Sequence, residues 1–258
     1  MTLTQAWRDL HRSRFADLPL DCGNSLSPGV IYSPELRDWS DKATTSDQAR
    51  MERYIDRYDL RRARILHVGI GNSGLARRFC GRVGEIVGTT IDDPEIEVAR
   101  LLALPNYGFV LHNKYSGSHT VIAGTFDFIL DNNLTSPCCC ISHLAGLFEF
   151  YADKLADGGQ IVTDRQGLEW VPVGSSPRWG FKLDDLRAAA ALAGLSVFPM
   201  TNSVYVLARS APLAPGLSPR AANRLRRAAA LPGKIVRNGP RALARRALNW
   251  ARRIGAKR

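Results

Sequence analysis

The chain has 258 residues, 45% hydrophobic and 23% charged, which suits one α/β domain with additions and a sizeable core. No apolar run approaches the ~18 residues that span a bilayer, and the opening MTLTQAWRDLHRSR lacks an apolar leader core. The five cysteines, three of them contiguous, make no disulfide framework, so a reducing, cytoplasmic setting is expected. The net charge of +11 is unevenly spread. Residues 212–258 carry 13 of the 35 Lys and Arg and no acidic residue, which leaves 22 basic against 24 acidic residues in 1–211.

The sequence divides into an N-terminal helical or cap segment (1–60), a main domain (61–211) and a basic tail (212–258). The tail is introduced by the breaker-rich Ala211-Pro212-Leu213-Ala214-Pro215-Gly216. In the first segment a helix is predicted over Ser46–Tyr58, with Thr45 or Ser46 as its N-cap. Strands then alternate with helices: Ile65–Val68, a glycine loop, a helix over Ser73–Arg82, and a strand over Glu85–Ile91. Asp92 or Asp93 opens the next helix, whose first-turn Pro94 needs no amide partner and which Pro105 ends. Further strands are predicted at Gly108–His112, Phe126–Asp131, Gln160–Asp164, Ser196–Met200 and Ser203–Ala208, and long helices at Ile141–Leu155 and Lys182–Ala193. Gly158-Gly159 reads as a turn between helix and strand. The βαβα order predicts a Rossmann-like three-layer α/β/α sandwich around a mostly parallel, seven-stranded sheet. The last two strands, joined only through Thr201-Asn202, form a C-terminal antiparallel β-hairpin.

Gly69-Ile70-Gly71-Asn72-Ser73-Gly74 fits G-x-G-x-x-G directly after a strand and before a helix. Glycines there let the backbone turn sharply and approach a ligand. Both a nicotinamide or flavin dinucleotide and S-adenosylmethionine suit such a loop. The chain has no Tyr-x-x-x-Lys pair, since Tyr151 and Lys154 are only three apart, and no Gly-x-Ser-x-Gly nucleophile elbow. It also has no His-Glu-x-x-His or paired Cys-x-x-Cys spacing, so no metal site is expected.

Taken in order, ILHVGIGNSG (65–74), FDFILDNNL (126–134), LADGGQIVTD (155–164) and the final helix with its hairpin resemble the class I S-adenosylmethionine-dependent methyltransferases. The resemblance covers about residues 46–210. It implies S-adenosylmethionine as cofactor, with His67, Gly69, Gly71, Asn72, Gly74, Asp92, His112, Asn113, Asp131 and Asn132 around it. His67 stands where that family usually has an acidic residue. The family's ribose-binding carboxylate falls at Thr90 or Asp92, and Asp92 is preferred because a carboxylate accepts from both hydroxyls.

The resemblance also places the acceptor pocket near Asp131, Asn132, Asn133 and Asp164. Asp131 is the first candidate base and His143 an alternative, with His112 a further one. DNNL replaces the Asn/Asp-Pro-Pro-Tyr motif of amino-directed nucleic-acid methyltransferases. That argues against base N-methylation and leaves O-, C- and small-molecule N-methylation open; the expected acceptor is a small molecule or a glycan or lipid-linked compound, with O-methylation favoured. Trp170 and Trp179, or Tyr32 and Trp39, are candidates to cover it. Cys138-Cys139-Cys140 reads as small apolar packing at a helix start, because successive side chains diverge.

Along RALARRALNWARRI (241–254), Leu243, Ala247, Trp250 and Ile254 share one helical face, and Arg245, Arg246, Arg252 and Arg253 lie on the other side. This pattern suits an anionic membrane surface at the inner face of the membrane. Nucleic acid is the competing ligand, although Trp250 is the one aromatic residue in the tail available for stacking. An NAD(P)-dependent oxidoreductase, an RNA methyltransferase and a catalytically silent scaffold are the competing functional readings.

Overall fold

Residues in β1 (Arg64–Val68) alternate between two hydrophobic cores. Leu66 and Val68 face one layer, while Ile65 faces the other. In β7 (Val204–Ala208), Tyr205 and Leu207 join the first core and Val204, Val206 and Ala208 the second. This period of two on strands buried from both sides is what a sheet covered by helices on each face requires. A computed structural model describes residues 3–23, 38–116, 119–136, 138–172 and 176–212. The tail beyond residue 212, with the amphipathic stretch 241–254 and all but the first residue of 212–258, lies outside the described residues.

The other strands are β2 (Glu85–Thr90), β3 (Tyr107–Leu111), β4 (Phe126–Leu130), β5 (Leu155–Asp164) and β6 (Ser196–Pro199). They form a seven-stranded sheet in the order β3-β2-β1-β4-β5-β7-β6. The pairs from β3 through β5 are parallel, and β7 is antiparallel to both β5 and β6. The expected sandwich and hairpin are therefore present. The hairpin loop is longer than two residues, because pairing ends at Pro199↔Tyr205. Gly158-Gly159 is not a turn between elements. β5 already begins at Leu155, and the two glycines lie in a bulge, with the register shifting between Phe126 and Phe128 of β4. Gly158 takes φ +75 there, a left-handed conformation that glycine adopts without steric cost.

Helices α1 (Gln5–Arg14), α5 (Ile141–Lys154) and α7 (Leu183–Leu192) share the first core, in which the Phe15 and Phe181 rings stack with centroids 4.7 Å apart. Helices α2 (Ser46–Ile55) and α3 (Gly74–Phe79) cover the other face through Met51, Ile55, Leu75 and Phe79. Helix α4 (Asp93–Leu101) lies against β2 and β3. Both N-terminal helices are thus fixed by core residues, Trp7 on one side and Met51 on the other.

Strand order reverses between β1 and β4, and the crevice outside the carboxyl ends of such strands is where open α/β sheets take ligands. Among the described residues, no helix is long and apolar enough to cross a membrane.

Candidate functional site

A cleft of about 400 Å³ opens at that switch point, within the range of small-molecule pockets. His67, Gly69, Gly71, Asn72, Gly74, His112, Asn113, Asp131 and Asn132 all line it. Asp92 and His143 do not. Asp92 occupies the N-cap of α4, one turn before the side chain that enters the cleft instead, Glu95. His143 belongs to the first turn of α5, where its Nδ1 faces three cysteine sulfurs.

The glycine loop is built by backbone conformation. Gly69 and Gly71 have φ of +78 and +49, and the amides of Gly69 and Ile70 both donate to the Thr89 carbonyl of β2. At Gly74 the constraint is space: a Cβ there would stand 2.5 Å from Thr44 Oγ1 and 2.9 Å from Asn72 Oδ1. Asn72, one residue before the N-cap Ser73 of α3, ties the loop down: its Oδ1 accepts from the Gly74 amide at 2.8 Å and its Nδ2 donates to the Lys42 carbonyl at 2.7 Å. Its side-chain amide is thereby committed to holding the loop together.

Glu95 is buried behind this loop. Its Oε2 accepts from the Gly71 amide (3.1 Å) and from Thr90 Oγ1 (2.6 Å), and its Oε1 accepts from the Trp39 amide (3.0 Å). Burial raises the Glu95 carboxyl, and these three hydrogen bonds oppose the rise. Of the two positions considered for a ribose contact at the end of β2, Thr90 lines the cleft.

His67, at the carboxyl end of β1, is fully buried, and its Nδ1 has no hydrogen-bond partner among the described residues. Desolvation pulls its pKa down to about 4, so the ring is neutral at physiological pH. The same cause lowers His112 to about 4; its Nε2 pairs with His119 Nδ1 at 3.1 Å. Neither ring carries charge into the cleft at neutral pH.

Asp131 is held by two partners. Lys114 Nζ donates to both of its oxygens, at 3.1 and 2.8 Å, and the Tyr151 hydroxyl donates to Oδ2 at 2.7 Å. Asn132 turns its Nδ2 to Asp47 Oδ2 at 3.1 Å. The other oxygen of Asp47, Oδ1, is buried with no hydrogen-bond partner among the described residues, and Asp47 lines the cleft. Asp164 is absent from the lining. Its carboxylate takes a bidentate bond from Arg50 (2.8 and 2.7 Å) and caps α6 (Arg165–Glu169), which fastens α2 to the end of β5. Trp39 and Trp170 line the cleft, whereas Trp179 is core, parallel to the Phe181 ring. Tyr32 lies outside the described residues.

Sequence reasoning thus misses Asp47, Glu95, Lys114 and Gln166. Glu95 carries a faint signal, as an acid in the first turn after the end of β2. Lys114 directly follows Asn113. Asp47 and Gln166 reach the cleft only through tertiary packing of α2 against β5 and α6, contacts that no spacing in the chain reveals.

No protein-family model matches the sequence, and no curated protein matches it. Solved structures do. The sugar N-methyltransferase KedS8 from Streptoalloteichus sp. superposes with a TM-score of 0.52 at 14% identity, over 73% of this chain and 99% of that one. The SAM-bound amino pentose methyltransferase CalS10 from Micromonospora echinaspora matches at TM-score 0.46 and 16% identity, over 68% of this chain and 93% of that one. A TehB-like SAM-dependent methyltransferase from Corynebacterium glutamicum matches at 0.46 and 18%, over 61% and 84%. What is common to this chain and KedS8 is the fold, that of the class I S-adenosylmethionine-dependent methyltransferases.

Proposed function

We propose that this chain is an S-adenosylmethionine-dependent methyltransferase acting on a hydroxylated small molecule or a glycan-type acceptor. The observation that carries the reading is the cleft at the β1/β4 switch point, whose wall includes His67 and Asp47, each with a buried polar atom, Nδ1 and Oδ1, that has no hydrogen-bond partner among the described residues. Buried polar atoms without partners are uncommon in folded proteins, and a pocket with two such residues in its wall suits a polar ligand.

The cofactor would supply an electrophilic methyl group on sulfur, and the protein's part is binding, orientation and proton handling. The glycine loop, held from behind by Glu95, forms the cradle. Neutral His67 offers a ring nitrogen that donates to a carboxylate or accepts from an ammonium, according to tautomer. It thereby takes the place of the acidic residue usual in the fold. Thr90, His112 and Asn113 border the same end of the cleft.

Asp47, Asn132, Gln166 and Trp170 form the acceptor side. An indole face beside a carboxylate and two amides matches a hydroxylated ring, apolar on its faces and polar at its rim. The Asn132 amide fixes Asp47 Oδ2; Oδ1, buried and without a partner among the described residues, is the oxygen that would take the acceptor's proton once the acceptor is seated against it. Asp131 does not take this role, because Lys114 and Tyr151 occupy its oxygens; it holds the floor of the cleft in place.

The basic tail gives the proposal a location. With 13 cations and no anion in residues 212–258, attraction of ~1 kcal/mol per cation near an anionic bilayer is enough to tether the enzyme there. Such a tether favours a lipid-linked or envelope glycan as acceptor. Incubation of the full chain with tritiated S-adenosylmethionine and separate glycan, lipid and RNA fractions tests the reading. Label in the glycan or lipid-linked fraction is expected; label in RNA alone overturns the acceptor class.

A further inference from the structure

Away from the cleft, at the start of α5, the N-terminal segment and the helix bring four soft donors together. Cys22 Sγ, Cys139 Sγ, Cys140 Sγ and His143 Nδ1 all lie within 4.8 Å of one another. Cys139 Sγ is 3.6 Å from Cys22 Sγ and 3.8 Å from Cys140 Sγ. His143 Nδ1 lies 3.0, 3.1 and 3.5 Å from the sulfurs of Cys139, Cys140 and Cys22. None of the five cysteines is in a disulfide.

We infer that Cys22, Cys139, Cys140 and His143 form a structural zinc site that staples the N-terminal segment to α5. A tetrahedral zinc ion with Zn–S near 2.3 Å and Zn–N near 2.0 Å requires S···S edges of roughly 3.8 Å and N···S edges of roughly 3.5 Å. Two of the three sulfur–sulfur distances and the Cys22–His143 distance already have these values, and the third sulfur–sulfur distance is within 4.8 Å. The two shorter imidazole contacts open by about half an ångström when the ring withdraws to make room for the ion. Three thiolates and one imidazole are a donor set of structural zinc, and four protein ligands leave no open coordination position.

The frame for these ligands exists without the sulfurs. The amides of Ile141 and Ser142, at the start of α5, donate to the carbonyls of Pro19 and Leu20 at 2.9 and 3.0 Å, and Ser142 Oγ donates to Asp21 Oδ2 at 3.1 Å. These bonds dock residues 19–21 across the helix start and deliver Cys22 to the helix-borne ligands. Cys140 is the N-cap of α5, and His143, three residues on, rises from the same turn. Cys138 takes no part: its thiol turns to the Cys140 carbonyl and packs into the first core. Apolar packing thus describes Cys138, while Cys139 and Cys140 belong to the cluster. Cys140 and His143 are buried and Cys22 is exposed, which leaves the ion a route in from solvent.

Binding Zn²⁺ to three thiols and a neutral imidazole releases three protons and gives a complex of net charge −1, so affinity falls with acidification. The ion would clip together residues 117 apart and so fix the N-terminal segment that carries α1.

The test uses the full chain purified under reducing conditions without chelators, with metal content read by mass spectrometry and by cobalt(II) substitution. One zinc per chain is expected, with tetrahedral d–d bands and intense thiolate-to-cobalt charge transfer in the cobalt form. The exposed-site variant Cys22→Ser should remain folded by circular dichroism, lose zinc at least tenfold more readily to a competing chelator, and show weaker charge transfer. Cys80→Ser, in the opposite core, should leave both readouts unchanged. A chain that takes up no zinc or cobalt overturns the inference, as does zinc content and charge transfer indifferent to Cys22→Ser. A Cys22–Cys139 disulfide in the reduced preparation, seen as a 2 Da mass deficit, also overturns it.

Discussion

Lys114 Nζ lies 2.8 Å from Asp131 Oδ2 with side-chain exposures of 12% and 2%, so an ion pair is sealed beneath the cleft. A buried pair is costly to break from one side, because the remaining charge is left without compensation. Lys114→Met is therefore expected to lower unfolding stability by ~3 kcal/mol, and Lys114→Met combined with Asp131→Asn to recover at least half of that. Urea unfolding of the unmodified chain, the two single variants Lys114→Met and Asp131→Asn, and the double variant checks this. Additive losses in the double variant would show that the two groups are not coupled.

If Asp47 Oδ1 receives the acceptor's proton, Asp47→Asn should lower kcat by about 100-fold or more while leaving S-adenosylhomocysteine affinity within about twofold. Asp131→Asn should act differently, with losses in stability and cofactor affinity together. A reversal of these two patterns in steady-state kinetics and calorimetry would return the proton-transfer role to Asp131.

The strands, the glycine loop and most of the cleft lining around that loop are legible in the sequence because each depends on local rules. Alternation marks β1 and β7, and G-x-G-x-x-G sits between a strand and a helix. What is illegible depends on distant packing. Gly158-Gly159 has turn chemistry yet lies in a bulge, since Leu155 pairs with Phe126 before the glycines are reached. Asp92 has the right residue type at the end of β2, but the start of α4 at Asp93 turns Glu95 inward instead. Cys139-Cys140-x-x-His143 is a visible spacing, but its meaning depends on Cys22, 117 residues away from Cys139 and brought there by the Pro19 and Leu20 carbonyls.

His67 gives the fold a pH dependence. Its pKa is about 4 in the folded chain against 6.5 ordinarily, so on falling pH the unfolded chain gains a proton that the native one refuses. The stability it contributes is complete above pH ~6.5 and lost progressively as pH falls towards ~4. His67→Gln should make the stability-versus-pH slope shallower by about 1 kcal/mol per pH unit in that window. Identical slopes for the two proteins would contradict a buried, neutral His67.

Gly74→Ala should test the packing of the loop against the segment before α2. The added Cβ meets Thr44 Oγ1 at 2.5 Å and Asn72 Oδ1 at 2.9 Å, so these side chains or the backbone that carries them must shift. S-adenosylhomocysteine affinity is expected to fall about tenfold, and Gly81→Ala, where a Cβ meets nothing, serves as the control. Equal affinities for the two variants would separate the loop from the ligand.

Isothermal titration calorimetry of the full chain with S-adenosylhomocysteine, NAD and NADP bears most directly on the central claim. One S-adenosylhomocysteine per chain should bind at micromolar concentration, weakened at least tenfold by His67→Ala, with no heat from either dinucleotide. Saturable binding of NAD or NADP, with none of S-adenosylhomocysteine, would contradict the account.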